Sequence, residues 1–247
     1  MWWVWRGKIE DTKNIISFLI SKFKKNTQFI NKKCLVTAGP TLENIDPIRY
    51  ISNYSSGKQG YEIAKQLANK GAEVILISGP TSIQPPQNVK LIKVKTADEM
   101  FIQTIKYNKK IDIAVFCAAI SDFKVRKINN KKIKKNTFTT LKLIKNVDIL
   151  KKISTQKTNR PKFVVGFSAE TDSKILASKK LEEKKCDMII YNKISKNNKV
   201  FGLDENKISI LTKNKIINYS KFSKLKCANL ILDSIYNEIY NKWVTQI

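Results

Sequence analysis

At 247 residues, 42% hydrophobic and 27% charged, the chain has the length for one sizeable core and the composition of an ordinary globular domain. Its formal net charge of +27 is almost wholly lysine, because only Arg6, Arg49, Arg126 and Arg160 carry guanidinium groups among 47 basic side chains. Nucleic-acid contacts draw heavily on arginine's bidentate fork, so a lysine excess beside abundant Ile and Asn reads as A/T-rich codon usage, and nucleic acid is not the expected partner.

Residues 1–5 are aromatic but too short for a signal-peptide core, and they carry no small-residue cleavage site. No stretch reaches the roughly 18 to 20 apolar residues that cross a bilayer, so the cytoplasm is the expected compartment and a membrane is not an expected partner. Asp11-Thr12 predicts a helix cap, followed by Ile15, Ile16, Leu19, Ile20 and Phe23 on one helical face. Residues 24–33 read as a polar linker. The division expected is an N-terminal helix and linker over 1–32 and one domain over 33–247.

From there strand and helix patterns alternate. Strands are predicted at 33–37, 73–78, 89–94, 111–120, 162–167 and 187–191, and helices at 60–70, 97–107, 148–153 and 173–185. Gly71 closes the first helix, and Thr96 with Glu99 gives the second a capping-box start. The apolar run 111–120 has the look of a strand buried on both faces. Residues 129–140 are lysine-dense and read as an exposed flap, and 141–144 alternates like an edge strand. A hairpin at 201–219, with Asn214 in its turn, precedes a closing amphipathic helix at 222–243. The pattern predicts an α/β fold: a doubly wound, Rossmann-like, mostly parallel sheet with helices on both faces, plus the flap and a C-terminal hairpin and helix.

Ligands of such sheets bind beyond the carboxyl ends of the strands, so the loops of interest are 38–57, 79–88, 117–140, 167–172 and 192–204. The first ends on Ser55-Ser56-Gly57-Lys58-Gln59-Gly60 at a helix start, which suits an anion. It is neither GxGxxG nor a P-loop, since the required glycines and the final Ser/Thr are missing. The chain has no histidine, so proton transfers fall to Lys, carboxylates, water or substrate. Cys34, Cys117, Cys186 and Cys227 have no CxxC spacing, and predict neither disulfides nor zinc.

The loops carry AGPTLENIDPIRYISNYSSGKQGY (38–61), CAAISDF (117–123), KIKK (132–135), NVDIL (146–150), GFSAET (166–171), ASKKLEEKKCD (177–187) and FGLDEN (201–206). In that order they resemble the phosphopantothenate–cysteine ligase family, in its CTP-dependent bacterial form, over about residues 33–240. Arg6-Gly7-Lys8-Ile9-Glu10 weakly resembles the end of the flavin-dependent decarboxylase domain that precedes the ligase in bifunctional bacterial enzymes. The rest of that domain is missing, so residues 1–32 are read as its remnant and no flavin is expected here.

The resemblance implies a ligase of coenzyme A synthesis. CTP activates the carboxylate of 4′-phosphopantothenate as an acyl-cytidylate, with release of pyrophosphate. L-cysteine then displaces CMP. It implies Mg²⁺ or Mn²⁺ accompanying CTP, with ligands the sequence does not identify, and a homodimer. Asn53 matches the residue that holds the intermediate, with Ser55, Ser56, Gly57 and Arg49 around it, and Lys132 matches the lysine of the second half-reaction. Phe116, Cys117, Ala118, Asp122, Lys132, Val147, Asp148, Ile149, Leu150, Phe167, Lys180 and Lys184 match the CTP site. Leu42 and Asn44 in the first loop and Ser168 stand where the family usually has Arg, Pro and Ala, and Val147 stands where it has Pro. The alternative is a non-catalytic partner subunit of a separate decarboxylase.

Overall fold

The structure, a computed structural model, describes residues 11–12, 27–134, 140–170, 174–194 and 202–244, with the side chains of 174–177 and 240–244 left aside. The helix expected after Asp11-Thr12 and the middle of the flap lie outside them. Eight strands form the main sheet: β1 (Lys33–Ala38), β4 (Glu73–Ser78), β5 (Val89–Lys93), β6 (Ile113–Phe116), β9 (Phe163–Glu170), β10 (Met188–Lys193), β11 (Glu205–Leu211) and β12 (Ile216–Ser223). Their order is β12-β11-β10-β9-β6-β1-β4-β5. The stretch from β5 to β10 is parallel throughout, and β11 and β12 add an antiparallel hairpin to the β10 edge. Numbered along the chain, the parallel strands run 3-2-1-4-5-6, the doubly wound order.

Period-two side chains explain why β1 sits at the centre. Cys34, Val36 and Ala38 enter one core and Leu35 the other, so the strand is apolar on both faces. Two helices cover the first face. Helix α1 (Lys58–Asn69) contributes Tyr61, Ile63, Ala64 and Leu67, and α5 (Lys224–Val244) contributes Cys227, Ala228, Ile231, Leu232 and Ile235. The second face is covered by α2 (Ala97–Tyr107) through Met100, by α3 (Ile149–Ser154) through Ile149 and Ile153, and by α4 (Lys174–Glu183) through Leu181. Thr96 caps α2 as expected, its hydroxyl accepting from the Glu99 amide at 3.2 Å while the Glu99 carboxylate accepts from the Lys95 amide. Phe29, upstream of residue 33, is 1% exposed and stands edge-on to Tyr236 of α5 with centroids 6.0 Å apart.

Two expected strands change. The run 111–120 is strand only to Phe116, because Cys117 to Ile120 turn across the end of β1. There the Ala118 amide donates to Thr37 Oγ1 and the Ala119 amide to the Gly39 carbonyl. The expected edge strand at 141–144 is β8 (Leu143–Lys145), and it pairs antiparallel with β7 (Phe123–Val125) in a separate ribbon rather than with the main sheet. A second small ribbon, β2 (Leu42–Asn44) with β3 (Tyr50–Ser52), fills the long first loop and packs beside β7.

Helix α1 is drawn hard against β1 by one residue. A Cβ on Gly60 would stand 2.6 Å from the Ala38 Cβ and 3.2 Å from the Ala38 Cα, so only glycine allows this approach. Gly57, at φ 77°, makes the turn that starts the helix there.

Candidate functional site

Beyond the carboxyl ends of β1, β6, β9 and β10 lies a cleft of about 610 Å³, at the switch point where strand order reverses between β1 and β6. Its walls come from 52–60, 116–122, 146–150 and 167–169, with side chains added from α4, β10, β11 and the start of α5.

Hydroxyls of the first loop, that of Thr41 fully buried, shape the wall above β6. Thr41 Oγ1 accepts from the Ser121 amide at 3.1 Å, and the Thr41 carbonyl accepts from Ser52 Oγ at 2.8 Å. Asn53 then spans the two loops, its side-chain amide donating to the Ile120 carbonyl at 2.9 Å. Asn146 ties in the next segment, its backbone and side-chain amides donating at 2.8 Å to the carbonyls of Asp122 and Ser121. Asp148 follows, and does two things at once. It caps α3 by accepting from the Lys151 amide at 3.0 Å, and it pairs at 3.0 Å with Lys184, just past the end of α4. Lys180, one turn earlier, pairs with Glu170, which also accepts from Ser168 Oγ.

At the other end two helix N-termini meet. The first turn of α1 carries no side-chain cap, leaving its amides directed toward the cleft, as at any helix start. Lys58 pairs with Asp204 at 2.5 Å, which holds that carboxyl below the usual range. The side chain of Gln59 donates to the Lys224 carbonyl at 3.2 Å, linking α1 to α5. Burial pushes the Lys224 ammonium below its ordinary value, and the neighbouring Lys58 charge acts in the same direction. Burial also raises the Cys117 thiol to about 12, which makes it a poor nucleophile. The side-chain oxygens of Gln59, Asn192 and Asn206, all on this wall, are buried without a hydrogen-bond partner among the described residues. No cluster of three or more Cys, Asp or Glu able to hold a metal occurs among those residues.

Of the residues singled out in the sequence, Asn53, Ser55, Ser56, Gly57, Phe116, Cys117, Ala118, Asp122, Val147, Asp148, Ile149, Leu150, Phe167, Lys180 and Lys184 all line this cleft. Lys132 and Arg49 do not. Arg49 is engaged with Asp46 at 2.9 Å and donates to the Ile133 carbonyl, while the Ile133 amide donates to Asp46. These bonds hold the described start of the flap on the β2–β3 turn and leave Lys132 exposed. Burial would raise the Asp46 carboxyl, but the amides of Ile48, Arg49 and Ile133 with the Arg49 charge hold it below the usual range. Lys224, Asn192, Asn206, Gln59 and Asn146 were not foreseen. One lysine among 43 carries no sequence signal, and an amide side chain gains meaning only from being buried.

The sequence profile of the family described as the DNA/pantothenate metabolism flavoprotein C-terminal domain matches residues 29–239. The coenzyme A biosynthesis bifunctional protein CoaBC of Borreliella burgdorferi is 39% identical over 234 residues, 93% of this chain and 59% of that protein. Its counterpart in Haemophilus influenzae is 40% identical over 239 residues, 96% of this chain and again 59% of the relative. This chain thus spans about three-fifths of the length of these curated relatives. A crystal structure of the C-terminal domain of a coenzyme A biosynthesis bifunctional protein CoaBC matches at a TM-score of 0.74 and 33% identity, over 87% of this chain and 99% of that one.

Proposed function

This chain belongs to the DNA/pantothenate metabolism flavoprotein C-terminal domain family, and on that premise we propose that it is a phosphopantothenate–cysteine ligase of coenzyme A biosynthesis that uses CTP. The single observation carrying this reading is the convergence of four separated strings, around Asn53, Asp122, Asp148 and Phe167, on one cleft with Lys180 and Lys184 at the end of α4.

In the first half-reaction the carboxylate of 4′-phosphopantothenate attacks the α-phosphorus of CTP. The bond to the β-phosphate oxygen breaks and pyrophosphate leaves with the electron pair. In the second, the amine of L-cysteine attacks the acyl carbon, CMP departs, and the amine proton passes to solvent or substrate. The cleft's part is positioning and charge neutralisation. The Asn53 amide is a fixed donor for the intermediate. Asp122 suits the cytosine amino group as an acceptor, with Phe116, Cys117, Ala118 and residues 147–150 bordering the nucleotide, and Phe167 facing it. Lys180 and Lys184 serve the phosphates, and the Ser55–Gly57 turn with the α1 amides supports the acyl-phosphate region. Mg²⁺ or Mn²⁺ fits as an ion carried by the phosphates and water, with the unpaired amide oxygens of Asn192 and Asn206 as candidate hard donors. When bound, that ion would offset phosphate charge.

Arg49 and Lys132 enter this reading through a homodimer. Exposed Ile48, Tyr50, Phe123, Leu143 and Ile144 lie on the two adjoining ribbons that carry or flank them, an apolar surface suited to a second copy. Residues 33–247 are the proposed ligase domain, with 1–32 as the segment that leads into it. No described helix is long and apolar enough to cross a membrane. A cytoplasmic site of action is part of the proposal.

The test is a coupled assay on the purified chain with phosphopantothenate, magnesium and either CTP or ATP. The expected result is pyrophosphate release with CTP, followed by CMP and product when cysteine is added. Absence of pyrophosphate at saturating substrates sinks the catalytic reading. Copurification with a decarboxylase in that case favours a partner subunit.

A further inference from the structure

Four lysines line the cleft, and three are already paired: Lys58 with Asp204, Lys180 with Glu170 and Lys184 with Asp148. The fourth, Lys224, has no side-chain ion pair or hydrogen bond among the described residues. It is nonetheless half-buried at the first position of α5, beside Lys58 and the Asp204 carboxylate that Lys58 already engages. An ammonium partly withdrawn from water without a counter-ion is disfavoured, and on the wall of a cleft it is a place that an anion from outside can complete. The backbone of Lys224 is fixed independently of its side chain. Its amide donates to the Asp204 carbonyl at 2.8 Å, and its own carbonyl accepts from Gln59. The side chain is thus anchored at its root and unused at its tip.

What the tip faces is set by the neighbours. Gln59 belongs to the first turn of α1, so Lys224 stands where the uncapped amides of α1 and the start of α5 adjoin. At α5 the Lys226 amide is taken by Ser223 Oγ at 3.2 Å and the Lys224 amide by Asp204, so the free amides are those of α1. That one uncapped N-terminus with an unpaired ammonium beside it favours a compact, multiply charged anion over the single charge of a monophosphate diester. We propose that Lys224 binds the β- and γ-phosphates of the nucleotide and neutralises the pyrophosphate as it leaves. This rests on the CTP-dependent reading above. In that step the α-phosphorus–oxygen bond breaks and negative charge grows on the departing pyrophosphate, and a fixed cation there acts more strongly on the transition state than on bound CTP. Lys224 has no part in the second half-reaction, since pyrophosphate has already gone.

The experiment compares the full chain with Lys224→Met and Lys224→Arg, titrating CTP, CMP and inorganic pyrophosphate by calorimetry. Single-turnover rates of the two half-reactions complete it. Expected for Lys224→Met is a loss of roughly tenfold to a hundredfold in affinity for CTP and pyrophosphate, the scale of one charge-assisted contact. CMP affinity stays unchanged, which also reports that the variant is folded. Pyrophosphate release slows, while the reaction of supplied acyl-cytidylate with cysteine keeps its rate, and Lys224→Arg recovers most of the loss. Equal weakening of CMP and CTP, equal slowing of both halves, or no change at all overturns the proposal. Pyrophosphate alone separates the two readings. If wild type binds it through Lys224 but ignores CTP, the anion site stands and the CTP reading falls. If wild type binds none of the three, both fall.

Discussion

Asn53 is the residue on which the proposed chemistry turns, and its surroundings allow its two duties to be separated. Its side-chain amide closes a 2.9 Å bond to the Ile120 carbonyl, one hydrogen bond whose net contribution to stability is about 1 kcal/mol. A preorganised donor to a developing charge is worth far more to rate, on the order of a hundredfold to a thousandfold. Asn53→Ala is therefore expected to unfold within a few degrees of wild type and to bind CTP normally, yet to form acyl-cytidylate at least a hundredfold more slowly in a single-turnover assay. If CTP affinity falls in parallel, Asn53 is a clasp between loops and not a catalytic group. Asn53, Asp122 and Asp148 were legible because each stands in a string whose backbone is itself wall of the cleft. Lys132 and Arg49 were not, because a loop's sequence says which residues are near each other along the chain and not which way the loop is held. Here the buried Asp46, accepting from Ile48, Arg49 and Ile133, decides the direction.

Among elements, α1 is the one that the cleft depends on. Its closeness to β1 is set by Gly60, where two effects of substitution oppose each other. Gly→Ala inside a helix usually stabilises by about 1 kcal/mol. Forcing a methyl to 2.6 Å from the Ala38 Cβ, with backbone behind it at 3.2 Å, is overpacking at roughly 1–3 kcal/mol, and neither neighbour is a flexible side-chain end. Overpacking wins. Gly60→Ala should lower the thermal midpoint and weaken CTP, because the α1 amides move away from the cleft. A raised midpoint would mean that the helix has slack. Two strand lengths differ most from expectation: β9 runs on to Glu170 through residues expected to be loop, and the strand at 111–120 stops at Phe116. An apolar run cannot distinguish strand core from cleft lining, and Cys117 to Ile120 are the latter, half-buried where the Thr37 hydroxyl of β1 and the Gly39 carbonyl take the amides of Ala118 and Ala119. The β7–β8 ribbon was also missed as such, since three-residue strands leave too little alternation to reveal a partner.

For the whole molecule, the βα alternation was sufficient to give the doubly wound sheet, because right-handed crossovers and short connections leave few other orders for six parallel strands. Where the globular unit begins was less visible, since a lone aromatic in a lysine- and asparagine-rich linker gives no period. The structure sets Phe29 between the two chain ends of the first core: its amide donates to the Lys70 carbonyl beyond α1, and its ring meets Tyr236 of α5. Phe29 thus fastens the closing helix to the sheet from upstream of residue 33. Removing a buried phenyl ring costs about 3–5 kcal/mol, and at about 2–4 °C per kcal/mol for a chain of this size Phe29→Ala should lower the thermal midpoint by on the order of 10 °C. Tyr236 follows Lys224 by twelve helical residues, about 18 Å along α5 at the usual rise, so the lesion is remote from the cleft. Well below the new midpoint, CTP affinity and pyrophosphate release should therefore match wild type. Scanning calorimetry of a chain begun at residue 33 should give a drop at least as large as that of Phe29→Ala, because the truncation also removes the Phe29 amide and the Lys32 carbonyl that bond Lys70 and Glu73. A truncated chain as stable as the full one would remove Phe29 from the folding unit, and a loss of CTP affinity at low temperature would mean that α5 transmits strain along its length to Lys224.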